Sequence, residues 1–213
     1  MPRPRFLNLD AARRNRLLEA AADEFAAHGY EQASLNKVIE RLGLSKGQFY
    51  YYFDDKADLF GAVLDWAWRR VLPDTLFDFS RLEAETFWST LEQFGEGSRD
   101  VVRTMPWWIG LWRHLYHPPE DPAIRQVVAE KFELGRQIQL SFVRRGQEIG
   151  CIRRDLPDDL LLAVISAFDM AADRWLIDNW DALTSDQRET LPHQLFSVVR
   201  RMIELPPPTQ EAG

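Results

Sequence analysis

The chain has 213 residues, of which 46% are hydrophobic and 28% are charged, and its formal net charge is −7. This is the profile of a soluble globular protein, long enough for one large or two small domains. No apolar run approaches the ~18 residues that span a bilayer, and the basic start MPRPRFLNLD lacks the apolar stretch of a signal peptide. The single cysteine excludes an internal disulfide and a CxxC motif. We therefore expect a cytoplasmic protein.

Charge is divided unevenly along the chain. Residues 1–53 hold eight Lys or Arg against six Asp or Glu, whereas the remainder holds 18 basic and 27 acidic residues. Any contact with a polyanion is therefore expected at the N-terminal end, although the positive excess there is small.

Helical periodicity dominates the chain, and strand alternation is nearly absent. Apolar residues spaced i, i+3, i+4 and i+7 predict a first helix over about residues 10–28, which Gly29 ends. The same spacing predicts a short second helix over 35–42, with Ser34 as N-cap and Gly43 as terminator.

The third helix has the strongest local signals. Ser45 is the expected N-cap, and Gln48 at the third helical position completes a capping box. The second and third helices must then turn sharply around Gly43 and Leu44. Two short helices joined by a short turn that contains glycine are typical of the helix-turn-helix.

The remainder of the chain is also predicted to be helical. A fourth helix should run from near Asp55 to about Leu72, where Pro73 ends it. Five more helices are predicted at residues 82–104, 106–116, 122–149, 158–180 and 186–204. The predicted fold is all-α with about nine helices.

Three adjacent tyrosines in the third helix are divided by helical spacing. Tyr52 shares one face with Phe49 and Phe53 and should pack inward, whereas Tyr50 and Tyr51 should point outward. Ordinary surface residues, or contacts to a second domain, are as good an interpretation of the outward pair as DNA binding is.

The outward face also has residues that suit a DNA major groove. Lys46 is basic, Gly47 permits close backbone approach, and Gln48 can pair with adenine. The hydroxyls of Ser34 and Ser45, like the backbone N–H groups at helix starts, can bind phosphate.

The run from Leu17 to Leu64, LLEAAADEFAAHGYEQASLNKVIERLGLSKGQFYYYFDDKADLFGAVL, resembles the DNA-binding region of the TetR/AcrR family of transcriptional regulators. The matching features are F-x-x-x-G-Y, then S-L-x-x-V, then G-L-S-K-G-x-F-Y-x-Y-F-x-x-K-x-x-L-F. Gln48, Tyr51 and Asp55 depart from the residues frequent in the family, and these departures bear on the operator sequence.

The resemblance implies a homodimeric, two-domain regulator, usually a repressor that a small ligand releases from a roughly palindromic operator. An activator or a ligand-independent regulator of the same fold is the alternative. The domains would be residues 1–55, for DNA binding, and 56–213, for ligand binding and dimerisation.

The resemblance also implies roles for single residues. Tyr51 would face the groove, while Tyr50 and Lys56 would hold the DNA backbone. Arg3, Arg5 and Arg13 could add phosphate or minor-groove contacts, but a solvated basic arm is the preferred interpretation. The full set expected at the DNA is Ser34, Leu35, Asn36, Ser45, Lys46, Gly47, Gln48, Tyr50, Tyr51 and Lys56.

Aromatic residues are dense in the second part of the chain, where seven of the eight tryptophans fall between Trp66 and Trp175. Such residues can line a pocket for a small apolar or aromatic ligand, although each of them can equally fill a helical core. The candidate pocket residues are Trp66, Trp88, Trp107, Trp108, Trp112, His114, Tyr116, Asp169 and Asp173. The two aspartates could orient a cation or hydroxyl, and a salt bridge with Arg174 or Arg200 is at least as good an interpretation.

The last two helices have broad apolar faces, which suggests association of two chains. In the resembling family these helices form a four-helix dimer interface. The candidate interface residues are Leu161, Val164, Ile165, Phe168, Leu195, Val198, Val199 and Met202.

Other functions have weaker support. His114 and His117 with Glu120 and Asp121 could form a metal cluster, but they lack a further ligand motif. No nucleophile elbow or phosphate-binding glycine loop is present. We therefore expect no enzyme activity, metal or cofactor, and a helical module without DNA binding is the third interpretation.

Overall fold

The computed structural model describes residues 3–71 and 78–205. Within them the backbone forms ten α-helices, and none is long and apolar enough to cross a membrane. The helices are α1 (Pro4–Leu7), α2 (Ala11–Gln32), α3 (Leu35–Arg41), α4 (Lys46–Tyr52), α5 (Lys56–Val71), α6 (Phe87–Arg103), α7 (Trp108–Tyr116), α8 (Pro122–Glu148), α9 (Asp158–Asn179) and α10 (Ser185–Ile203).

The predicted all-helical fold is confirmed, with two differences. The short helix α1 was not expected, because four residues are too few to show a helical period. Helix α6 begins at Phe87 rather than near residue 82, and a separate 3₁₀ turn, Phe79–Arg81, precedes it. The predicted helix end at Leu72 and Pro73 lies outside the described residues.

Local signals explain most helix boundaries. The Asp10 side chain accepts the Arg13 N–H at the start of α2, and Thr184 forms a capping box with Gln187 at the start of α10. The first long helix is broken at Gly29, where φ is +73°, and a last turn continues to Gln32. The predicted terminator is therefore confirmed.

Contacts divide the chain into two compact units. Unit 1 holds the described residues up to Val71 together with residues 98–131, and unit 2 holds residues 78–97 and 132–205. These units do not test the predicted boundary after residue 55 between a DNA-binding domain and a ligand-binding domain, which stays a prediction.

Unit 1 is built around α2, which packs on α3, α5 and α7. Phe25 of α2 meets Phe60 of α5 edge-on, with ring centroids 4.9 Å apart, and both side chains are buried. Gly110 lets α7 approach α2 very closely, since a Cβ there would lie 2.7 Å from the Ala26 carbonyl oxygen. The helix-turn-helix is thus held on a packed helical base.

Unit 2 has its own core, which joins α6, α8, α9 and α10. Phe87 stacks on Phe142 at 5.2 Å, and Ile152 packs against Gly146. An isolated bridge between Ile152 and Glu204 ties the end of α10 to the turn after α8. The fully or nearly buried members of this core are Phe87, Val143, Cys151, Ile152, Leu161, Ile165 and Ile203.

Candidate nucleic-acid interface

The three tyrosines of α4 are divided as predicted. Tyr52 is 8% exposed and lies on the same side as the buried Phe49 and Phe53, whereas Tyr50 and Tyr51 are 50% and 45% exposed. The outward pair therefore stands on the surface of unit 1, beside the exposed residues Lys46, Gly47 and Gln48.

The N-terminus of α4 is closed by the predicted capping box. Ser45 Oγ accepts the Gln48 N–H at 3.1 Å, and Gln48 Oε1 accepts the Ser45 N–H at 2.8 Å. Bidentate pairing with adenine uses both the oxygen and the nitrogen of a glutamine amide. Gln48 must therefore share its oxygen with the cap, or contact a base through Nε2 alone.

Two glycines shape the turn and the surface. Gly43 has φ of +62°, a conformation that glycine adopts without strain, and it redirects the chain between α3 and α4. At Gly47 a Cβ would lie 3.9 Å from its nearest neighbour, Ser45 Oγ, so the protein itself has room for a side chain. Close approach of a partner is a better reason for this glycine than internal packing, since glycine weakens a helix.

The start of α3 is less open to phosphate than the sequence suggests. Ser34 Oγ accepts the Lys37 N–H at 3.4 Å as N-cap, and the Ser34 N–H donates to the Glu24 carboxylate at 2.9 Å. This carboxylate occupies a backbone donor that was expected near phosphate, and its negative charge opposes a second anion. Leu35 beside it is half-buried, and Asn36 is exposed.

Lys56 has partners inside unit 1. Its ammonium donates to the carbonyl oxygens of Glu31, at 3.0 Å, and Ala33, at 3.3 Å, and lies 4.9 Å from the centroid of the Tyr30 ring. Lys56 therefore joins the start of α5 to the end of α2. The role in holding the DNA backbone stays a prediction beside this structural one.

The N-terminal segment is docked rather than solvated, so the expectation of a free basic arm is wrong. Phe6 of α1 is 2% exposed and lies 4.7 Å from the Phe53 ring. Arg3 forms an ion pair with Asp54, and the Arg5 guanidinium lies 4.1 Å from the centroid of the Tyr51 ring. Sequence reasoning missed this segment, although Pro4 at the first helical position, with the apolar Phe6 and Leu7 in the same turn, was a signal.

A basic cleft of about 400 Å³ adjoins helix α4. Gln48 and Tyr52 of α4 form part of its wall, together with the turn at Gly43. Arg13, Arg16 and Arg41 also line it, and Arg41 is paired with Asp23 at 2.7 Å. Three arginines are thus gathered beside α4, and of these only Arg13 was named from the sequence as a candidate for a phosphate or minor-groove contact.

The predicted pocket residues of unit 1 pack on one another. Trp66 stacks on Trp107 at 5.1 Å, and Trp108 stacks on Trp112 at 4.5 Å. Trp107 and Trp108 are 4% and 5% exposed. These are the contacts of an aromatic core. Tyr116, the last residue of α7, is half-buried.

The predicted pocket residues of unit 2 are differently placed. Trp88 lies beneath the Arg200 guanidinium, 5.2 Å from its ring centroid. Asp169 accepts the Gln139 amide at 2.6 Å, and burial, aided by the charge of Asp173, raises the pKa of its carboxyl to about 7. Asp169 is thus a half-buried acid with an unusual affinity for a proton.

The predicted dimer residues fall into three groups. Leu161 and Ile165 are 1% and 3% exposed and belong to the core of unit 2, with Val199 and Met202 packed against it. Val164 and Val198 are 41% and 40% exposed on α9 and α10. Phe168 and Leu195 are half-buried. Of the eight residues predicted at the dimer interface, Val164 and Val198 are therefore the two that are clearly exposed.

Two residues of the hypothetical metal cluster have structural partners. The His114 ring nitrogen lies 3.4 Å from the Phe25 carbonyl oxygen, and burial lowers the pKa of His114. Asp121 accepts the Tyr30 hydroxyl at 3.0 Å. Over residues 3–71 and 78–205, no group of three or more His, Cys, Asp or Glu is arranged to hold a metal.

Comparison with known proteins bears on this surface directly. Residues 17–63, which include α3, α4 and the turn between them, match the family model described as bacterial regulatory proteins, tetR family. The chain is 26% identical over 171 residues to the "Probable acrEF/envCD operon repressor" of Escherichia coli, covering 78% of this chain and 76% of that protein. It is 25% identical to a helix-turn-helix transcriptional repressor of Streptomyces coelicolor, over 89% of this chain and 96% of the relative.

The fold has solved counterparts as well. A transcriptional regulator from Saccharomonospora viridis, solved in complex with choline, superposes with a TM-score of 0.65 at 19% identity, over 93% of this chain and all of that one. The helix-turn-helix geometry, the matched segment and these relatives agree. The chain is a DNA-binding transcriptional regulator whose residues 17–63 match the tetR family model.

Proposed function

We propose that the protein is a repressor that binds a roughly palindromic operator as a homodimer, with α4 of each subunit in a major groove. The observation that carries this proposal is the exposed face of α4, where Tyr50 and Tyr51 stand out from a helix whose other face is buried. The repressors among its relatives support the direction of regulation. An activator of the same fold is the alternative.

Within this surface we propose a division of labour. Tyr51 reads a base pair, where its ring can contact a thymine methyl, and Tyr50 donates its hydroxyl to a phosphate. Lys46 and the arginines of the basic cleft supply positive charge along the backbone.

The test uses duplexes selected by the wild-type protein from a randomised library. Tyr51→Ala is expected to relax preference at one base pair per half-site by about 5- to 100-fold, since a base contact contributes ~1–3 kcal/mol of discrimination. Tyr50→Ala, the matched control on the same helix, should weaken binding to all duplexes by a similar factor. Fluorescence anisotropy against single-base-pair variants measures both effects. Equal losses on every duplex for both variants would contradict the division.

We also propose that two copies associate through α9 and α10, which would place two recognition helices about 34–36 Å apart. Val164→Glu should then yield a monomer in sedimentation experiments and lower operator affinity at least tenfold, because a buried unpaired carboxylate is strongly unfavourable. Leu134→Glu, at an apolar residue of α8 that is 37% exposed, is the control. A dimeric Val164→Glu protein with normal affinity would contradict this interface.

The effector is proposed to be a small apolar or aromatic molecule. The density of tryptophans along the chain supports this class, although four of those in unit 1 pack on one another. One protein of similar fold is bound to choline, a small organic cation. A thermal-shift screen of such compounds, followed by operator release in the anisotropy assay, identifies the effector. Compounds that bind and leave operator affinity unchanged would contradict ligand release.

A further inference from the structure

We infer that α1 is a positioning element of the DNA-reading surface: it secures the C-terminal end of α4 and, through Arg5, orients the Tyr51 ring. This inference rests on the proposed function, because it takes α4 to be the helix in the major groove.

The need for such an element follows from the size of α4. It has seven residues, so it is only about two turns and ~10 Å long. Helices this short are marginal in water without tertiary contacts. The capping box secures only the N-terminal end. Tyr51 lies at the opposite end, one residue before the last helical position.

Phe6 anchors α1 at that opposite end. Its side chain is 2% exposed and lies between two aromatic residues, with ring centroids 4.7 Å from Phe53 and 6.3 Å from Tyr52. Phe53 is the C-cap of α4, and Tyr52 is its last residue. Phe6 therefore packs against the C-terminal end of α4.

Arg3 adds polar contacts at the same place. Its backbone N–H donates to the Tyr52 carbonyl oxygen at 3.0 Å, and its Nε donates to the Asp54 carboxylate at 2.9 Å. The carbonyls of the last helical turn lack partners within the helix. Arg3 satisfies one of them and ties the chain before α1 to the residue after Phe53.

Arg5 then reaches Tyr51 itself. Its guanidinium carbon is 4.1 Å from the centroid of the Tyr51 ring, which is within the range of a cation–π contact. The Tyr51 side chain is 45% exposed, and its ring also meets the Tyr52 ring edge-on, with centroids 5.6 Å apart. The planar guanidinium supplies one face of contact and so restricts where the ring and its hydroxyl point.

The Arg5 guanidinium can also bind an anion. It is exposed, and none of the ion pairs seen in residues 3–71 and 78–205 includes its guanidinium. A phosphate next to the base pair that Tyr51 contacts would therefore meet an unneutralised cation. Arg3 differs, since Asp54 already pairs with it.

If α1 only covered the core, a different experimental result would be expected. Phe6 accounts for the burial in α1, whereas Arg5 is exposed. If α1 merely covered Phe53, removal of the Arg5 guanidinium would leave base preference unchanged. The behaviour of Arg5 variants therefore separates positioning from simple packing.

The experiment is a double-mutant cycle on the full chain, with the duplex selected by the wild-type protein and its single-base-pair variants. Arg5→Gln is expected to reduce the preference at the base pair read by Tyr51 by about two- to fivefold, the range of an exposed cation–π contact. It should also lower the salt slope by about 0.9 per lost phosphate contact. In the Tyr51→Ala background, Arg5→Gln should change the salt slope alone.

Arg70→Gln is the matched control. Arg70 lies 4.8 Å from the centroid of the Trp66 ring, and it stands about 21 Å along α5 from Lys56. This variant removes the same kind of contact and should leave base preference and salt slope unchanged. Phe6→Ala, checked for folding by circular dichroism, should relax the same base pair as Arg5→Gln although it removes no charge.

Two outcomes would overturn the inference. One is unchanged base preference in Arg5→Gln. The other is a loss of preference that adds fully to that of Tyr51→Ala, which would make Arg5 an independent contact. If Phe6→Ala does not fold, the double-mutant cycle of Arg5→Gln and Tyr51→Ala is sufficient to test the inference. Failure of the wild-type protein to select any duplex would instead count against the proposed function.

Discussion

Asp169→Asn is expected to stabilise the protein at pH 8, raising the free energy of unfolding by on the order of 2–4 kcal/mol. Burial, and after it the charge of Asp173, raise the pKa of the Asp169 carboxyl to about 7 against the opposing effect of the hydrogen bond from Gln139. Above pH 7 the folded protein must therefore hold an unfavourable buried charge. An asparagine carries no charge and can still accept the Gln139 amide.

The pH dependence follows from the direction of the shift. The folded state keeps the Asp169 proton up to about pH 7, whereas an unfolded aspartate releases it near its ordinary value of 3.8. Between these values the folded state binds more protons, so stability falls as pH rises, and the loss is complete above pH 7. The gain from Asp169→Asn should thus be large at pH 8 and small near pH 4.5.

Urea unfolding at the two pH values measures this difference. Asp178→Asn is the control, because Asp178 lies on the same helix with its side chain 45% exposed and pairs only loosely with Arg174, at 3.9 Å. Equal effects of Asp169→Asn at pH 4.5 and pH 8 would contradict a buried, proton-holding carboxyl.

Gly110→Ala is expected to destabilise unit 1 by about 1–3 kcal/mol through overpacking. A Cβ at Gly110 would lie 2.7 Å from the Ala26 carbonyl oxygen and 2.9 Å from its Cα. These are backbone atoms, so α7 and α2 must move apart rather than shift one flexible side chain. Because α2 supports the helix-turn-helix, the same variant should also weaken operator binding.

Gly61→Ala is the matched control, with the opposite sign. It is the same substitution in another helix of unit 1, and its Cβ would meet Val127 at an ordinary 3.7 Å. Alanine favours a helix over glycine by about 0.5–1 kcal/mol, so this variant should be more stable than the wild type. Urea unfolding followed by circular dichroism compares the two, and a wild-type-like Gly110→Ala would show that α2 and α7 can separate at no cost.

Features of the site that depend on near neighbours were predictable. The capping box of Ser45 and Gln48 and the termination at Gly43 involve groups at most three or four residues apart. The division of Tyr52 from Tyr50 and Tyr51 follows from helical spacing, which repeats every 3.6 residues. Such signals are complete within a short window of sequence.

Features that depend on distant partners were not predictable. The Phe6 side chain docks on Phe53, and the Lys56 ammonium finds carbonyls 23 and 25 residues away. Burial of Asp169 is likewise set by packing that no local pattern reports, since its amide partner is 30 residues away. A solvated basic arm was therefore a reasonable expectation that the tertiary contacts changed, whereas the DNA contact of Lys56 stays a prediction beside its structural role.

The long helices, the helix-turn-helix and the outward face of α4 could be predicted from the amino-acid sequence, because hydrogen bonds and side-chain spacing within single helices specify them. Which charges and aromatic rings remain available on that face depends on tertiary packing. Arg3, Ser34 and Lys56 are engaged by groups that the fold brings to them, and Arg5 lies over Tyr51. Those contacts depend on how helices pack, and packing joins residues that are far apart along the chain.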